Sequence, residues 1–321
     1  MYKFKPILKS LVWGGNKIAA YKGISTTQST IGESWELSGM AGSESEVAEG
    51  PDKGKRLPEL IRRDRGELVG EQVYSRFGDH FPLLVKFIDA REDLSLQVHP
   101  NEEIARQRHH ASGKSEMWYV VDAEAGAHIR SGLRTPLAPE KYAEAVKDGS
   151  ILEMVADYRV EAGDLFYIPA GRIHTIGAGT LLVEIQQSSS ITYRIFDYNR
   201  TGLDGRPREL HTEWAREALD FSVEEEYRTP YIPAKNRAVP LIHCPHFTTN
   251  LFDLTTPQLL DLDWIDSFVV VICTEGSGTL TDHKGRTMTI KQGETVLVEA
   301  SVKCLTMTPE QNKLKLITAW L

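Results

Sequence analysis

The sequence predicts a mainly β protein, built from two jelly-roll or β-barrel units with a few helices. Most apolar segments are strand-sized, rich in Val, Ile, Phe and Tyr, and bounded by Gly, Pro, Asp or Ser, as in FPLLVKFID, TLLVEIQ and FVVVIC. A weak internal repeat is the second observation, and the third is that few segments have apolar residues at helical spacing. Together these features are typical of an all-β barrel or jelly roll.

Two pairs of segments carry the repeat. EMWYVVDAEAGAHI at 116–129 resembles SFVVVICTEGSGTL at 267–280, and VEAGDLFYIPAGRIHTI at 160–176 aligns with IKQGETVLVEASVKCLT at 290–306. Prolines cluster shortly before the second copy and indicate a linker. We therefore predict a larger unit with helical additions over residues 1–235, and a smaller C-terminal β-sandwich over residues 236–321. A chance similarity between ordinary hairpins is the alternative.

Three segments have the signals of helices, namely 101–110, 138–149 and 208–221. The first has acidic residues in its first turn, and the second begins near a proline and ends near a glycine. In the third, apolar residues that include Trp214 recur at helical spacing and predict a buried face. Segment 36–70 has few large apolar residues, and we expect it to be a surface loop with one short helix.

Charge and hydropathy exclude several classes of partner. The 321 residues include 37 Lys+Arg and 45 Asp+Glu, which gives a net charge of -8 without any basic run. A nucleic acid or an anionic membrane is therefore not expected as the main partner. The apolar stretches are far shorter than the roughly 20 residues that span a bilayer. The 3 cysteines are widely spaced, which indicates free thiols in a reducing cytoplasm.

Four side chains of the first unit form a candidate metal site: Gln97, His99, Glu116 and His174. Gln97 and His99 alternate in SLQVHP, so on a strand they share a face. Glu116 begins the next β segment, and His174 follows a Pro-x-Gly turn. Two imidazoles, a carboxylate and an amide oxygen suit Zn²⁺ or another divalent first-row ion. Taken singly, each residue has an ordinary alternative, which is a hydrogen-bonded histidine or a solvated glutamate.

A family resemblance rests on several of these motifs together. The pattern from Gly163 to His174 resembles the second motif of the cupin superfamily. LSLQVHP, GKSEMWY, PAGRIHTI and ITYRIFDYNR in combination resemble type I mannose-6-phosphate isomerases, in their short bacterial form. The resemblance is strong over residues 1–205 and loose beyond. It implies two cupin-like units and a cytoplasmic enzyme that interconverts mannose 6-phosphate and fructose 6-phosphate through an enediol, with one metal ion.

The resemblance also implies roles for residues around the metal. It places the zinc ligands on the four side chains named above and an active-site arginine on Arg194, and it places Ser95 against the substrate phosphate. Because an arginine stays protonated, Arg194 is expected to hold the enediolate or the phosphate. An ion pair between Arg194 and Asp197 is the alternative. Glu184 lies on the strand after His174 and is expected to line the same cavity.

Lys114 lies two residues before Glu116, so on a strand it projects from the same face. We expect it to transfer a proton, and a solvated lysine is the alternative. Longer family members have a histidine where this chain has Gly113, which leaves the acid–base pair open. Two other functions remain open as well: an Fe²⁺-dependent oxygenase on the same barrel, and a non-catalytic sugar-phosphate sensor. The expected partner is a hexose phosphate, bound by a monomer or a homodimer.

Overall fold

The computed structural model describes residues 1–321 and confirms the mainly β class. The strands, in chain order, are β1 (Tyr2–Lys3), β2 (Ile7–Lys9), β3 (Glu33–Ser38), β4 (Leu83–Ala90), β5 (Leu96–Val98), β6 (Glu116–Ala123), β7 (His128–Leu133), β8 (Val155–Arg159), β9 (Leu165–Ile168), β10 (His174–Ile176), β11 (Thr180–Gln187), β12 (Tyr193–Phe196), β13 (Ala238–Cys244), β14 (Phe247–Leu254), β15 (Gln258–Asp261), β16 (Val269–Asp282), β17 (Thr287–Lys291), β18 (Thr295–Val298) and β19 (Cys304–Trp320). All of the pairings between them are antiparallel.

The helices are short. They are α1 (Lys17–Lys22), α2 (Leu57–Asp64), α3 (Gly66–Val69), α4 (Glu71–Phe77), α5 (Glu102–His109), α6 (Tyr142–Asp148), α7 (Ile151–Met154) and α8 (Thr212–Ala218), with a 3₁₀ turn at Pro139–Lys141. No helix is both long and apolar enough to cross a bilayer. The three cysteines form no disulfide.

Two sheets form the barrel of the first unit. One has the strand order β2-β3-β4-β11-β6-β9, and the other has the order β12-β5-β10-β7-β8. A core of 13 buried residues lies between them and includes Ile88 and Leu182 from the first sheet and Ile176 from the second. Along β11, Leu182 shares a face with Glu184, because successive side chains alternate. The interior therefore changes from apolar to polar along the strands.

The C-terminal strands belong to an eight-stranded sheet with the central order β1-β18-β16-β19-β14-β13. On β16, Val269 and Val271 point into a core of 17 buried residues. Val270 and Ile272 point to the opposite face, into a core of 32 buried residues. Because this strand is buried on both faces, its sequence reads as a continuous apolar run instead of an alternation.

The repeat is visible in the hydrogen bonds. The N–H of Gly163 donates to the carbonyl of Val120 at 2.8 Å, and the N–H of Gly293 donates to the carbonyl of Cys273 at 2.8 Å. Both glycines have a positive φ, which glycine tolerates without strain. The two copies therefore close the same turn before β9 and β18.

The strand pairing also shows that the first two segments of the repeat correspond with an offset two residues different from the one their sequences suggest. Glu116 pairs with Ile168 on β9, and the corresponding pair on the second copy is Val269 with Val298. Glu116 therefore corresponds to Val269, whereas the sequence alignment had matched it to Ser267. A shift of two keeps the same face of the strand, so the apolar pattern could not reveal it.

The division near residues 235 and 236 stays a prediction, and several contacts join the two parts. Strand β1 from the N-terminus pairs with β18. The 32-residue core draws side chains from both parts, and the ring centroids of Phe81 and Phe268 lie 4.4 Å apart. The two parts are therefore packed through a shared apolar core.

The first predicted helix is confirmed as α5, with the Asn101 side chain accepting the Ile104 N–H at 3.0 Å. The second is confirmed as the 3₁₀ turn followed by α6. The third prediction was wrong in length and in face. Helix α8 covers only Thr212–Ala218, Trp214 is 46% exposed, and Ala215 is buried instead.

The prediction for segment 36–70 was right only in part: residues 39–56 form no helix or strand and a short helix follows, but the segment is not all surface. It contains the end of β3 and the helices α2 and α3, and Leu57, Leu60 and Ile61 on α2 are fully buried. Three apolar residues in this short helix are enough to dock it on the 32-residue core. The charged residues around them, such as Arg56, Glu59 and Arg62, obscure this narrow apolar stripe in the sequence.

Candidate metal centre

Three buried side chains converge inside the barrel. His99, Glu116 and His174 are at most 1% exposed, and one donor atom from each lies within 4.8 Å of the others. The two imidazole Nε2 atoms are 3.2 Å apart. The Glu116 carboxylate lies 3.5 Å from His99 Nε2 through Oε2 and 3.4 Å from His174 Nε2 through Oε1. Three electron-pair donors therefore face one buried space.

Each donor is placed by the end of a strand. His99 directly follows β5, Glu116 is the first residue of β6, and His174 is the first residue of β10. Strands β5 and β10 are neighbours in one sheet, whereas β6 belongs to the other. The site therefore exists only when the two sheets pack, since one sheet alone supplies no more than two of the three donors.

Backbone carbonyls fix how both imidazoles are oriented. His99 Nδ1 lies 2.9 Å from the carbonyl of Ile191, and His174 Nδ1 lies 2.8 Å from the carbonyl of Arg172. A carbonyl only accepts, so each Nδ1 carries the proton and each Nε2 presents a lone pair. Both lone pairs point to the shared space, which is the arrangement that a metal-binding histidine requires.

The charge states suit a cation. Burial lowers the pKa of His99 and of His174 to about 4, so both rings are neutral near pH 7. Burial opposes ionisation of Glu116, but Lys114 and the two histidines outweigh it and hold the pKa of that carboxyl well below its usual range. Glu116 Oε1 is buried without a hydrogen-bond donor. Two neutral imidazoles and a carboxylate form a donor set that fits a divalent first-row ion.

Gln97 also reaches the centre. It lies directly opposite His174 in the five-stranded sheet, and its Nε2 is 3.3 Å from His174 Nε2. Its Oε1 is 3.4 Å from the hydroxyl of Ser95, which is only 2% exposed. The structure thus brings all four predicted metal ligands together and places Ser95 next to them.

Lys114 is part of the same cluster. Its Nζ lies 2.9 Å from His99 Nε2 and forms an ion pair with the Glu116 carboxylate. The residue is 4% exposed, so the alternative of a solvated lysine is wrong.

Arg194 lies on β12 directly opposite Gln97, and so shares its face of the sheet. Its Nη1 donates to the carbonyl of Glu209 at 2.8 Å, and its Nε is buried without a partner. Burial, together with Arg208, lowers the pKa of Arg194. A half-buried guanidinium with an unused donor is suited to bind an anion.

Asp197 has other partners. Its Oδ1 lies 2.7 Å from Arg200 Nη2 and 3.2 Å from Arg208 Nη1. The alternative of an ion pair between Arg194 and Asp197 is therefore wrong.

The structure adds Lys86, which the sequence analysis missed. Its Nζ lies 2.9 Å from Glu184 Oε1, and Glu184 Oε2 accepts the Trp118 Nε1–H at 2.9 Å. Burial opposes the charge, but the carboxylates of Glu184 and Glu33 outweigh it and raise the pKa of Lys86. The available signal was a lysine in the middle of the apolar strand FPLLVKFID, because a buried lysine needs a buried acid.

Gly113 explains the departure from the longer family members. A Cβ atom at this position would lie 2.7 Å from the backbone nitrogen of Glu102 and 2.9 Å from the carbonyl carbon of Asn101. No side chain fits there unless the start of α5 moves. A histidine at this position is therefore incompatible with the local packing of this chain.

The HCPH segment at 243–246 forms no comparable cluster. His243 is exposed and its Nδ1 bonds to the Thr248 hydroxyl at 2.9 Å, while Cys244 Sγ bonds to the Phe247 carbonyl at 3.4 Å. The group of His99, Glu116 and His174 is the one cluster of three such donors within reach of one ion.

Comparisons with known proteins identify the family of this chain. Residues 1–126 match the model of the phosphomannose isomerase type I catalytic domain. The mannose-6-phosphate isomerase ManA of Bacillus subtilis is 34% identical over 280 residues, 86% of each chain. The chain belongs to the type I mannose-6-phosphate isomerase family. The family resemblance read from the motifs is thereby confirmed.

Other relatives of this family agree. The mannose-6-phosphate isomerase of Streptococcus mutans is 32% identical and covers 84% of this chain and 83% of its own. The crystal structure of the Bacillus subtilis mannose 6-phosphate isomerase superposes with a TM-score of 0.87 at 29% identity, over 99% of this chain and 98% of that one. A mutant of the Salmonella typhimurium phosphomannose isomerase superposes over 100% of this chain and 99% of its own with a TM-score of 0.80 at 16% identity, which shows a shared fold.

Proposed function

We propose that this protein is a cytoplasmic, Zn²⁺-dependent isomerase that interconverts mannose 6-phosphate and fructose 6-phosphate. The observation that supports this proposal most strongly is the buried group of His99, Glu116 and His174, which Lys114 contacts. Relatives that cover most of the chain are named mannose-6-phosphate isomerases. The family implies a metal ion, and this donor set suits zinc.

Four residues would hold the ion: Gln97 through its amide, His99 and His174 through Nε2, and Glu116 through its carboxylate. The Gln97 amide would have to turn by half a rotation, because its Nε2 faces His174 in the structure and only its oxygen can bind a metal. When bound, the ion would polarise the sugar oxygens and stabilise negative charge as it develops on them. The carbonyls of Ile191 and Arg172 support this role, because they hold both imidazoles in the tautomer that leaves Nε2 free.

The isomerisation of the aldose moves two protons. One leaves C2 and is delivered to C1, and the other moves from O2 to O1, with an enediol between the two forms. Lys114, acting as the neutral amine, would take the proton from C2 and deliver it to C1, since it is buried beside the metal donors and is 2.9 Å from His99. Arg194 would stabilise the enediolate with its unused Nε–H, because it faces the same side of the sheet as Gln97.

Ser95 and Glu184 would contact the substrate. The hydroxyl of Ser95 lies beside the Gln97 amide, where we propose that it bonds to the sugar phosphate. Glu184 holds Lys86 in the same polar end of the barrel, where a carboxylate can accept hydrogen bonds from sugar hydroxyls.

A coupled assay that follows fructose 6-phosphate made from mannose 6-phosphate tests this function. Turnover should be lost in chelator and return with added Zn²⁺. Exchange of the C2 deuterium of labelled substrate into water should accompany turnover. Binding of mannose 6-phosphate without exchange would instead support the sugar-phosphate sensor, and oxygen consumption with Fe²⁺ would support the oxygenase. Light scattering would show whether the protein is a monomer or a homodimer.

A further inference from the structure

One side chain outside the donor set, that of Gln187, ties the start of β6 to β11. Gln187 is the last residue of β11 and is 7% exposed. Its N–H donates to the carbonyl of Ser115 at 3.1 Å, and its Oε1 accepts the N–H of Ser115 at 2.9 Å. Ser115 stands between Lys114 and Glu116, so both polar groups of its backbone are held by one residue. This fixes the position from which those two side chains project.

The other end of the Gln187 amide reaches α5. Its Nε2 donates to the carboxylate of Glu102, the first residue of that helix. Helix α5 begins three residues after His99. The Gln187 amide therefore connects two of the segments that carry proposed metal ligands. Its oxygen accepts one hydrogen bond and its nitrogen donates the other. Among side chains of this length, only glutamine supplies both.

Ser115 continues the connection to the third segment. Its hydroxyl accepts the N–H of Ala170 at 3.2 Å, in the turn that leads to His174. The next residue, Gly171, donates its N–H to the carbonyl of His99 at 2.9 Å. The segments that carry His99, Glu116 and His174 are thus joined to one another by hydrogen bonds, and Ser115 takes part in the bonds that hold the Glu116 segment.

We propose that Gln187 is a positioning residue for the metal centre, which sets the start of β6 against the start of α5 through Ser115 and Glu102. The proposal rests on the proposed function, because it assigns Gln187 to the geometry of that centre. Gln187 itself touches neither the donor atoms nor Lys114 Nζ in any hydrogen bond of the structure. Its effect therefore passes through the backbone of Ser115.

The Gln187→Leu variant tests the proposal with a readout besides activity. Leucine has a similar size but neither polar group. Outer partners of metal ligands typically contribute roughly 10- to 100-fold in affinity or activity. We therefore expect Zn²⁺ affinity, measured by competition with a chromogenic chelator, to fall by about that factor. The kcat of the zinc-loaded variant should fall too, with KM for mannose 6-phosphate little changed, because the substrate contacts remain.

Exchanging the two side chains of the contact between Gln187 and Glu102 gives a sharper test. Gln187→Glu keeps an acceptor for Ser115 but turns a second carboxylate toward Glu102, so zinc affinity should fall. Adding Glu102→Gln restores one donor and one acceptor across the contact, and affinity should recover toward the wild-type value. Glu103→Gln is the matched control on the same helix turn, where the residue bonds only to Gln107, and it should change nothing.

Two outcomes would overturn the proposal. One is a Gln187→Leu variant that melts at a lower temperature without metal but binds zinc with wild-type affinity, which would make the residue merely structural. The other is a double variant that remains as weak as Gln187→Glu alone. Failure of the proposed function is distinguishable, since it would show as absent metal binding or absent isomerisation in the wild-type protein.

Discussion

The ammonium of Lys114 lies 2.9 Å from the Nε2 lone pair of His99. The same lone pair is the one that the Ile191 carbonyl leaves free for a metal. A bound cation and the ammonium would repel each other at this distance. The His99 lone pair can therefore serve the ammonium or a bound cation, but not both at once. This relationship separates the roles of two neighbours, one holding the ion and the other transferring a proton.

Lys114→Met should lower kcat by roughly 10²- to 10⁴-fold, which is the usual contribution of a positioned acid or base. Zinc should be retained, because the substitution removes a competing charge and leaves all four proposed ligands. Metal content measured by mass spectrometry and deuterium washout from C2 check the two halves of this prediction. Near-normal washout in the variant would remove Lys114 as the proton carrier and direct attention to Glu184.

Arg194→Lys should lower kcat more than it raises KM. Lysine keeps the charge but loses the planar fork, and with it the buried Nε–H that has no partner in the structure. If the arginine stabilises the enediolate, the loss appears mainly in the transition state and so in kcat. Steady-state kinetics with mannose 6-phosphate measure both parameters. A rise in KM at constant kcat would assign Arg194 to the phosphate instead.

Lys86→Met should destabilise the metal-free protein by about 3–5 kcal/mol, because it leaves the Glu184 carboxylate buried and unpaired. Adding Glu184→Gln removes that charge and should restore much of the loss. Lys17→Met is the control, since Lys17 pairs with the exposed Asp122 and such pairs contribute about 1 kcal/mol or less. Urea unfolding gives the free energies. Equal losses at Lys86 and Lys17 would contradict the buried pair.

The metal-free protein should lose stability as the pH falls from about 6.5 toward 4. Burial lowers the pKa of His99 and of His174 to about 4, so the unfolded chain takes up protons on these residues before the folded protein does. Their contribution is complete above the unfolded pKa and is lost as the pH falls through the folded pKa. It is on the order of 3 kcal/mol for each histidine. Unfolding free energies of the chelated protein at several pH values measure it, and His99→Gln should reduce the slope. An unchanged slope in that variant would contradict the burial argument.

The sequence predicted the donor set because metal chemistry restricts the residue types. Gln97, His99, Glu116 and His174 were identified from alternation on strands and from a Pro-x-Gly turn, and the structure brings all four together. Zinc as the ion and each residue's role as a ligand stay predictions. Lys86 was missed because its partner Glu184 is distant in sequence and only the sheet pairing brings the two together.

The errors in the fold have a different cause. Trp214 has helical spacing to its apolar neighbours, yet it stacks on His211 at the surface, with ring centroids 5.8 Å apart. Leu60 and Ile61 are buried although half of the residues of α2 are charged. Periodicity shows which residues share a face, whereas the partner that covers the face is set by tertiary packing. Short helices that dock through two or three side chains are therefore poorly predicted.

The most direct test of the account is a zinc titration of chelated protein, followed by isomerase activity and by bound metal on the same samples. Activity should rise in proportion to zinc and level off at one ion per chain, as expected for a single site at His99, Glu116 and His174. His174→Ala should neither bind zinc stoichiometrically nor regain activity, because the loss of one ligand leaves the site open and weak. Full isomerase activity in the metal-free protein, or stoichiometric zinc in His174→Ala, would contradict the account.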